Sequence, residues 1–209
     1  MNGRIKNIVN MKTDYSIPET TNHAILIFSS LACIFLLWLG AHVNTWYAIM
    51  ATAIVFAFIE VTVYSLLHEA EHDVYHKNIS VNYWAGVWLG ALFGGSFTFL
   101  RECHIGHHKR NRSDYEMFDL YYPHQNKYIK SLYLYLLLIG FYYLLIPLAV
   151  LVFAVYPGIM QSKILRKDVS AAGMLSGISK NSFRKIQVES ILVILFHIGL
   201  FFLLDLKWQ

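Results

Sequence analysis

From Thr21 to Leu67 the chain carries a single formally charged side chain, Glu60. A run of that length and apolarity belongs in hydrocarbon, because an ordinary soluble domain is about 25% charged. The pattern persists. Asn78–Leu100, Ser131–Met160 and Ser190–Leu204 carry no formal charge at all. Across 209 residues, 56% are hydrophobic and 14% charged, so the apolar segments are the body of the molecule and not one anchor on a soluble domain. Two cysteines, Cys33 and Cys103, exclude a disulfide scaffold and an all-cysteine zinc site. Four prolines and 12 glycines exclude a collagen-like or disordered chain. The expected fold is all-α: one integral membrane domain over residues 1–209, built as a helical bundle of about four apolar membrane elements with a cytoplasmic histidine-rich helical cap.

Residues 24–40 and 46–67 each suit one crossing of a hydrocarbon core that takes about 20 helical residues. The link Ala41–Thr45 is short and uncharged, which makes the pair a tight hairpin. The stretch 131–160 would be about 45 Å long as one helix, against a core of about 30 Å. It is either one tilted span or a hairpin bent at Pro147. Residues 190–206 supply the last element. Asn78–Leu100 could just cross, but a crossing would put His68 and His104 on opposite sides. A partly embedded or interfacial segment, with Trp84 and Trp88 at headgroup depth, is therefore expected. The N-terminus carries Arg4, Lys6 and Lys12 against Asp14 and Glu19, and Gln161–Glu189 is polar and basic. By the positive-inside rule both face the cytoplasm, and the first hairpin returns the chain there at about His68.

Six of the ten histidines fall between His68 and His108. The first cluster reads His68-Glu69-Ala70-Glu71-His72, with His76 four residues further on. The second reads His104-Ile105-Gly106-His107-His108. Spacings of three and four put imidazoles on one face of a helix, a turn apart. Neutral imidazole ligates zinc, copper, iron and nickel. Two helices presenting several imidazoles at one membrane surface could hold one metal ion or a close pair. His68, His72, His104, His107 and His108 are the candidate ligands, and His76, Glu69 and Glu71 are candidates for an outer or additional role. His23, His42, His124 and His197 lack such company. Glu60 reads either as a helix–helix contact or as a residue beneath the metal site near the mouth of a substrate tunnel.

HEAEH followed about thirty residues later by Ser96-Phe97-Thr98-Phe99-Leu100-Arg101 and HIGHH resembles the membrane-bound fatty acid desaturase superfamily. Lys109-Arg110-Asn111-Arg112-Ser113-Asp114 through Phe118-Asp119-Leu120-Tyr121 is similar to the segment after the second histidine box in bacterial-type members. The resemblance covers roughly His68–Tyr122. It implies a four-span bundle whose boxes ligate two iron ions, with His68 and His72 in the first box and His104, His107 and His108 in the second. It also implies activation of O2, insertion of a double bond into a fatty acyl chain held by a membrane lipid or carrier, and electrons from an external donor of ferredoxin or cytochrome b5 type. Nothing in the chain resembles a flavin, haem or iron–sulfur site of its own, and nucleic acid is not an expected partner.

The family carries a third box, HxxHH, and none follows His108 here; His124 and His197 stand isolated. The chain therefore reads as C-terminally truncated relative to the family. Lipid or carotenoid hydroxylation and ketolation share the same histidine logic. HEAEH also satisfies H-E-x-x-H, the zinc-protease pattern in which Glu69 would be the general base, but HIGHH has no purpose in that reading.

Overall fold

A computed structural model describes residues 16–111, 113, 121–138, 141–163, 165, 175 and 177–206. Arg4, Lys6, Lys12, Arg112, Asp114, Phe118, Asp119 and Leu120, named above, lie outside the described residues. All the described regular elements are helical: α1 (Glu19–His42), α2 (Trp46–Glu71), α3 (Ile79–Phe93), α4 (Phe97–Arg110), α5 (Lys127–Leu138), α6 (Phe141–Val155) and α7 (Phe183–Leu203), with short 3-10 turns at Pro157–Gln161 and Lys180–Ser182.

Among the described residues, three helices are long and apolar enough to cross a membrane: α1, α2 and Lys180–Leu203. The bundle is apolar on the outside, with Phe28, Leu31, Trp46, Phe58 and Phe202 exposed. Its buried contacts include Asn22, Ser29, Ser30, Thr52, Asn82 and Ser190 beside Val63, Leu67 and Leu89. That distribution suits a lipid solvent. Apolar side chains gain little there by leaving the lipid, so small and hydrogen-bonding residues mediate the helix contacts. The Trp88 indole N–H donates to Ser30 Oγ at 2.8 Å, joining α3 to α1. Between α1 and α2, Cys33 Sγ donates to Glu60 Oε1 at 3.3 Å. Glu60 thus takes part in a helix–helix contact of the first hairpin.

The uncharged stretch Asn78–Leu100 does not run straight through. Asn78 caps α3 by accepting from the Ser80 and Val81 amides, and α3 stops after 15 residues, about 22 Å at 1.5 Å per residue. The stop is a Schellman turn: Gly95 N–H donates to Gly90 C=O at 2.8 Å and Gly94 N–H to Ala91 C=O at 3.2 Å. Gly94 holds φ +86°, a conformation glycine takes without steric cost. The chain then turns back as α4. A Cβ on Gly86 would sit 2.4 Å from the Phe97 ring, so the missing side chain lets α3 and α4 lie against each other. In the stretch 131–160 the described helical residues are those of α5 up to Leu138 and of α6 from Phe141, with Pro147 inside α6. Phe153, Met160 and Ile186 pack together beside Phe99 and Cys103, which ties the α6 end of the bundle to α7 and α4.

One buried amide holds the link between α2 and α3. Asn82, almost fully buried, accepts from the Tyr75 amide at 3.1 Å and the His76 amide at 3.3 Å. It donates to Ala70 C=O at 2.8 Å. Asn22 on α1 adds a bond to Tyr75 C=O at 2.8 Å. Replacing Asn82 with alanine strands the Tyr75 and His76 amides. Asn82→Ala is expected to cost about 1–3 kcal/mol, read as a lowered unfolding midpoint of the detergent-solubilised protein.

Candidate metal centre

α2 runs past its apolar length into the first histidine cluster, so that His68 occupies its last turn and His72 its C-cap. A second Schellman turn ends it there. Val74 N–H donates to Glu69 C=O at 2.9 Å and Asp73 N–H to Ala70 C=O at 3.1 Å, with Asp73 at φ +60°. The side chain of Asp73 pairs with Arg101 of α4. Arg101 Nε also donates to Glu71 C=O at 2.9 Å, so one guanidinium fixes α4 against the end of α2. From that anchor α4 carries His104, His107 and His108 toward the first cluster.

One nitrogen from each of His68, His72, His104 and His108 lies within 4.8 Å of the others. His104 Nε2 is 2.9 Å from His72 Nε2 and 3.0 Å from His108 Nε2. The His68 ring stands 4.6 Å from the rings of both His72 and His104. A single ring nitrogen cannot serve two neighbouring nitrogens well as an acceptor, whereas one cation between them satisfies every lone pair. Ligands at right angles on metal–nitrogen bonds of about 2.0–2.1 Å lie about 2.9 Å apart, against about 3.4 Å in a tetrahedron. The two shortest spacings, from His104 to His72 and to His108, are close to the right-angle value. The donor set is all imidazole, which suits iron, zinc, copper or nickel, and the four rings together fit one ion.

Glu71, 2% exposed, places Oε2 3.9 Å from His104 Nδ1, and that oxygen has no hydrogen-bond partner. A carboxylate behind the far ring nitrogen is the usual means of fixing a ligand imidazole's tautomer and leaving Nε2 for the metal. Glu69 is exposed. His107 is exposed too, its ring 6.5 Å from His104 and 5.9 Å from His108, to one side of the four. His76 sits with α1: its ring is 5.4 Å from His23, and Nδ1 is 3.7 Å from Glu19 Oε1. The remaining histidines serve elsewhere. His42 stacks on Trp38 and His124 on Tyr122, while His197 Nδ1 meets Val193 C=O of its own helix at 2.9 Å.

The sequence motifs give Arg101 no role beyond its place before HIGHH, and they mark neither Asp73 nor Glu189 as a site residue. Arg101 lies between the uncharged run and HIGHH, and Asp73 directly follows HEAEH. Each is a charge where an apolar segment meets a histidine cluster, and that position was the available signal. Glu189, at the start of the last apolar run, is 2% exposed.

Burial, then the neighbouring rings of His68, His108, His72 and His107, push the His104 imidazole down to about 4. His72 is also lowered, by burial and by His68 and His108. Both are held in the neutral form that binds metal. The unfolded chain takes up a proton on each near the ordinary histidine value of about 6.5, and folded His104 refuses it until about pH 4. Metal-free protein should therefore lose stability as pH falls from about 6.5 toward 4 and lose no more to this group below that. Melting temperatures measured across that range should fall less steeply in His104→Asn than in the parent chain.

None of the curated proteins or solved structures compared gives a significant match to the chain. A family model does, over residues 44–208, from the α1–α2 link through α7. The family described by that model is fatty acid desaturase. The matched region contains both histidine clusters, and its apolar helices present them at one end of the bundle. The chain belongs to the fatty acid desaturase family.

Proposed function

We propose that the protein is a membrane oxidoreductase that introduces a double bond into a fatty acyl chain, using non-haem iron held by its histidine clusters and O2 as co-substrate. The observation that carries this reading is the convergence of His68, His72, His104 and His108 from two helices of an apolar bundle. A zinc protease built on HEAEH takes three protein ligands and leaves one position open, whereas four imidazoles converge here. Bound iron supplies the oxidising power to remove hydrogen from an unactivated methylene. Each turnover takes two hydrogens from adjacent carbons, accepts two electrons and two protons through an external donor, and reduces one O2 to two waters. The donor is of ferredoxin or cytochrome b5 type and meets the cytoplasmic side, where we place both the clusters and the N-terminus.

The chain's own residues do the rest. His68, His72, His104 and His108 hold one ion. His107, beside His108, is available to a second ion of a di-iron pair. Glu71 orients His104. Tyr64, with its ring 6.4 Å from His68 and 5.5 Å from Phe93, joins the apolar face of α2 to the cluster.

Iron and zinc in detergent-purified protein, counted by mass spectrometry, and fatty acid profiles of a host expressing the chain test the proposal together. Iron should be retained and a new double bond should appear. Alanine at His68, His72, His104 or His108 should remove both the iron and the product, whereas His76→Ala should keep both. His107→Ala should lower iron content without emptying the four-histidine site. A protein carrying one tightly held zinc and no iron would sink the assignment.

A further inference from the structure

Glu189 lies on α7, far in sequence from either histidine cluster, yet its carboxylate is saturated with donors from α3 and α4. Oε1 accepts from the Tyr83 hydroxyl at 2.7 Å and the Thr98 hydroxyl at 2.6 Å. Oε2 accepts from the Ser96 hydroxyl at 2.7 Å and the Thr98 amide at 2.7 Å. Ser96 is the N-cap of α4, and its oxygen also accepts from the Phe99 amide at 3.3 Å. The Thr98 amide is among the first donors of α4, which have no partner within the helix. A carboxylate from one helix therefore completes the cap of another, where the positive end of the helix dipole favours an acid. A second link runs the opposite way. Glu102 on α4 accepts from the Ser179 amide at 3.0 Å and from the Ser182 hydroxyl, both at the start of α7.

From the Glu189 contacts to His104 is about two helical turns, and to His108 about three. A helix is stiff over that distance, so what fixes its start also fixes the rotation and height of the imidazoles. The other restraints on α4, Arg101 with Glu71 and Asp73 and Glu102 with Ser179 and Ser182, hold its middle. Tilt and rotation of a helix are set only when its start is held as well, and Glu189 holds the start. We infer that Glu189 is a positioning residue for the second histidine cluster: by capping α4 from α7 it sets the register at which His104 and His108 meet His68 and His72. The inference rests on the metal-centre reading above and adds to it a part of the chain that touches no ligand.

The test uses the full chain in detergent and Co2+ alone as the probe, read by titration and by the intensity and position of its visible ligand-field bands. The parent protein should bind Co2+ with an imidazole-rich spectrum. Glu189→Ala should bind about tenfold more weakly or worse, the scale seen when an outer partner of a metal site is lost, with altered bands. Glu189→Gln, whose amide can meet the same hydroxyls and amide, should recover most of the affinity and the parent spectrum. Thr98→Val removes one hydroxyl donor and leaves the carboxylate in place. It should weaken Co2+ binding severalfold, and it decides the matter if Glu189→Ala fails to fold. Parent-like affinity and bands in folded Glu189→Ala, or in Thr98→Val where the alanine variant does not fold, would overturn the positioning role and leave the metal centre standing. Failure of the parent protein to bind Co2+ would remove the metal centre itself, and the role with it.

Discussion

Four imidazoles on helices separated by about thirty residues can meet only if the chain between them returns to the end of the bundle it left. That return governs the architecture. α3 is too short for a full crossing and stops at a glycine turn, α4 comes back along it, and the bare Cα of Gly86 allows their close approach. Had α3 been one turn or two longer and gone through, the same histidines would lie on opposite faces of the membrane. The remaining polar features serve the same end. Asn82 and Asn22 fix the link entering α3, Arg101 joins the middle of α4 to the end of α2, and Glu189 holds the start of α4.

Gathering imidazoles carries an electrostatic cost that the fold meets by lowering the proton affinity of His104 and His72. His104 is surrounded by other rings and shielded from solvent, and its low proton affinity follows from both. The buried carboxylate of Glu71 stands behind it with an unpartnered oxygen. In a bundle whose outer surface is apolar, these few buried polar groups specify which helix faces meet, because hydrophobicity gives the helices no preference for one another over lipid.

Much of this was legible in the residues themselves. The apolar runs located α1, α2 and α7, and the three- and four-residue spacings located the converging imidazoles. Helix ends were less visible: α1 begins at Glu19 and α7 at Phe183, beyond the purely apolar windows, because a few polar residues are readily carried on a helix whose interior partners satisfy them. Pro147, where the hairpin alternative to a single tilted span would bend, lies inside α6. The supporting residues were the hardest to read. Asn82, Asp73, Arg101 and Glu189 act through partners between 6 and 106 residues away, and periodicity along the chain holds no record of such pairings. Among histidines, His76 shares the four-residue spacing of the first cluster, but the turn at Asp73 ends the helix before it. That spacing therefore no longer places it on the same face.

His68 and His72 sit at the carboxyl end of α2, and His107 and His108 sit in the last turn of α4. Each helix carries about half a negative charge at that end from its unpaired carbonyls. Two such ends converge where the imidazoles meet, so the backbone itself creates a negative potential there. A cation where the four rings meet would be favoured by this field, which Lys109 and Arg110 in the last turn of α4 offset in part.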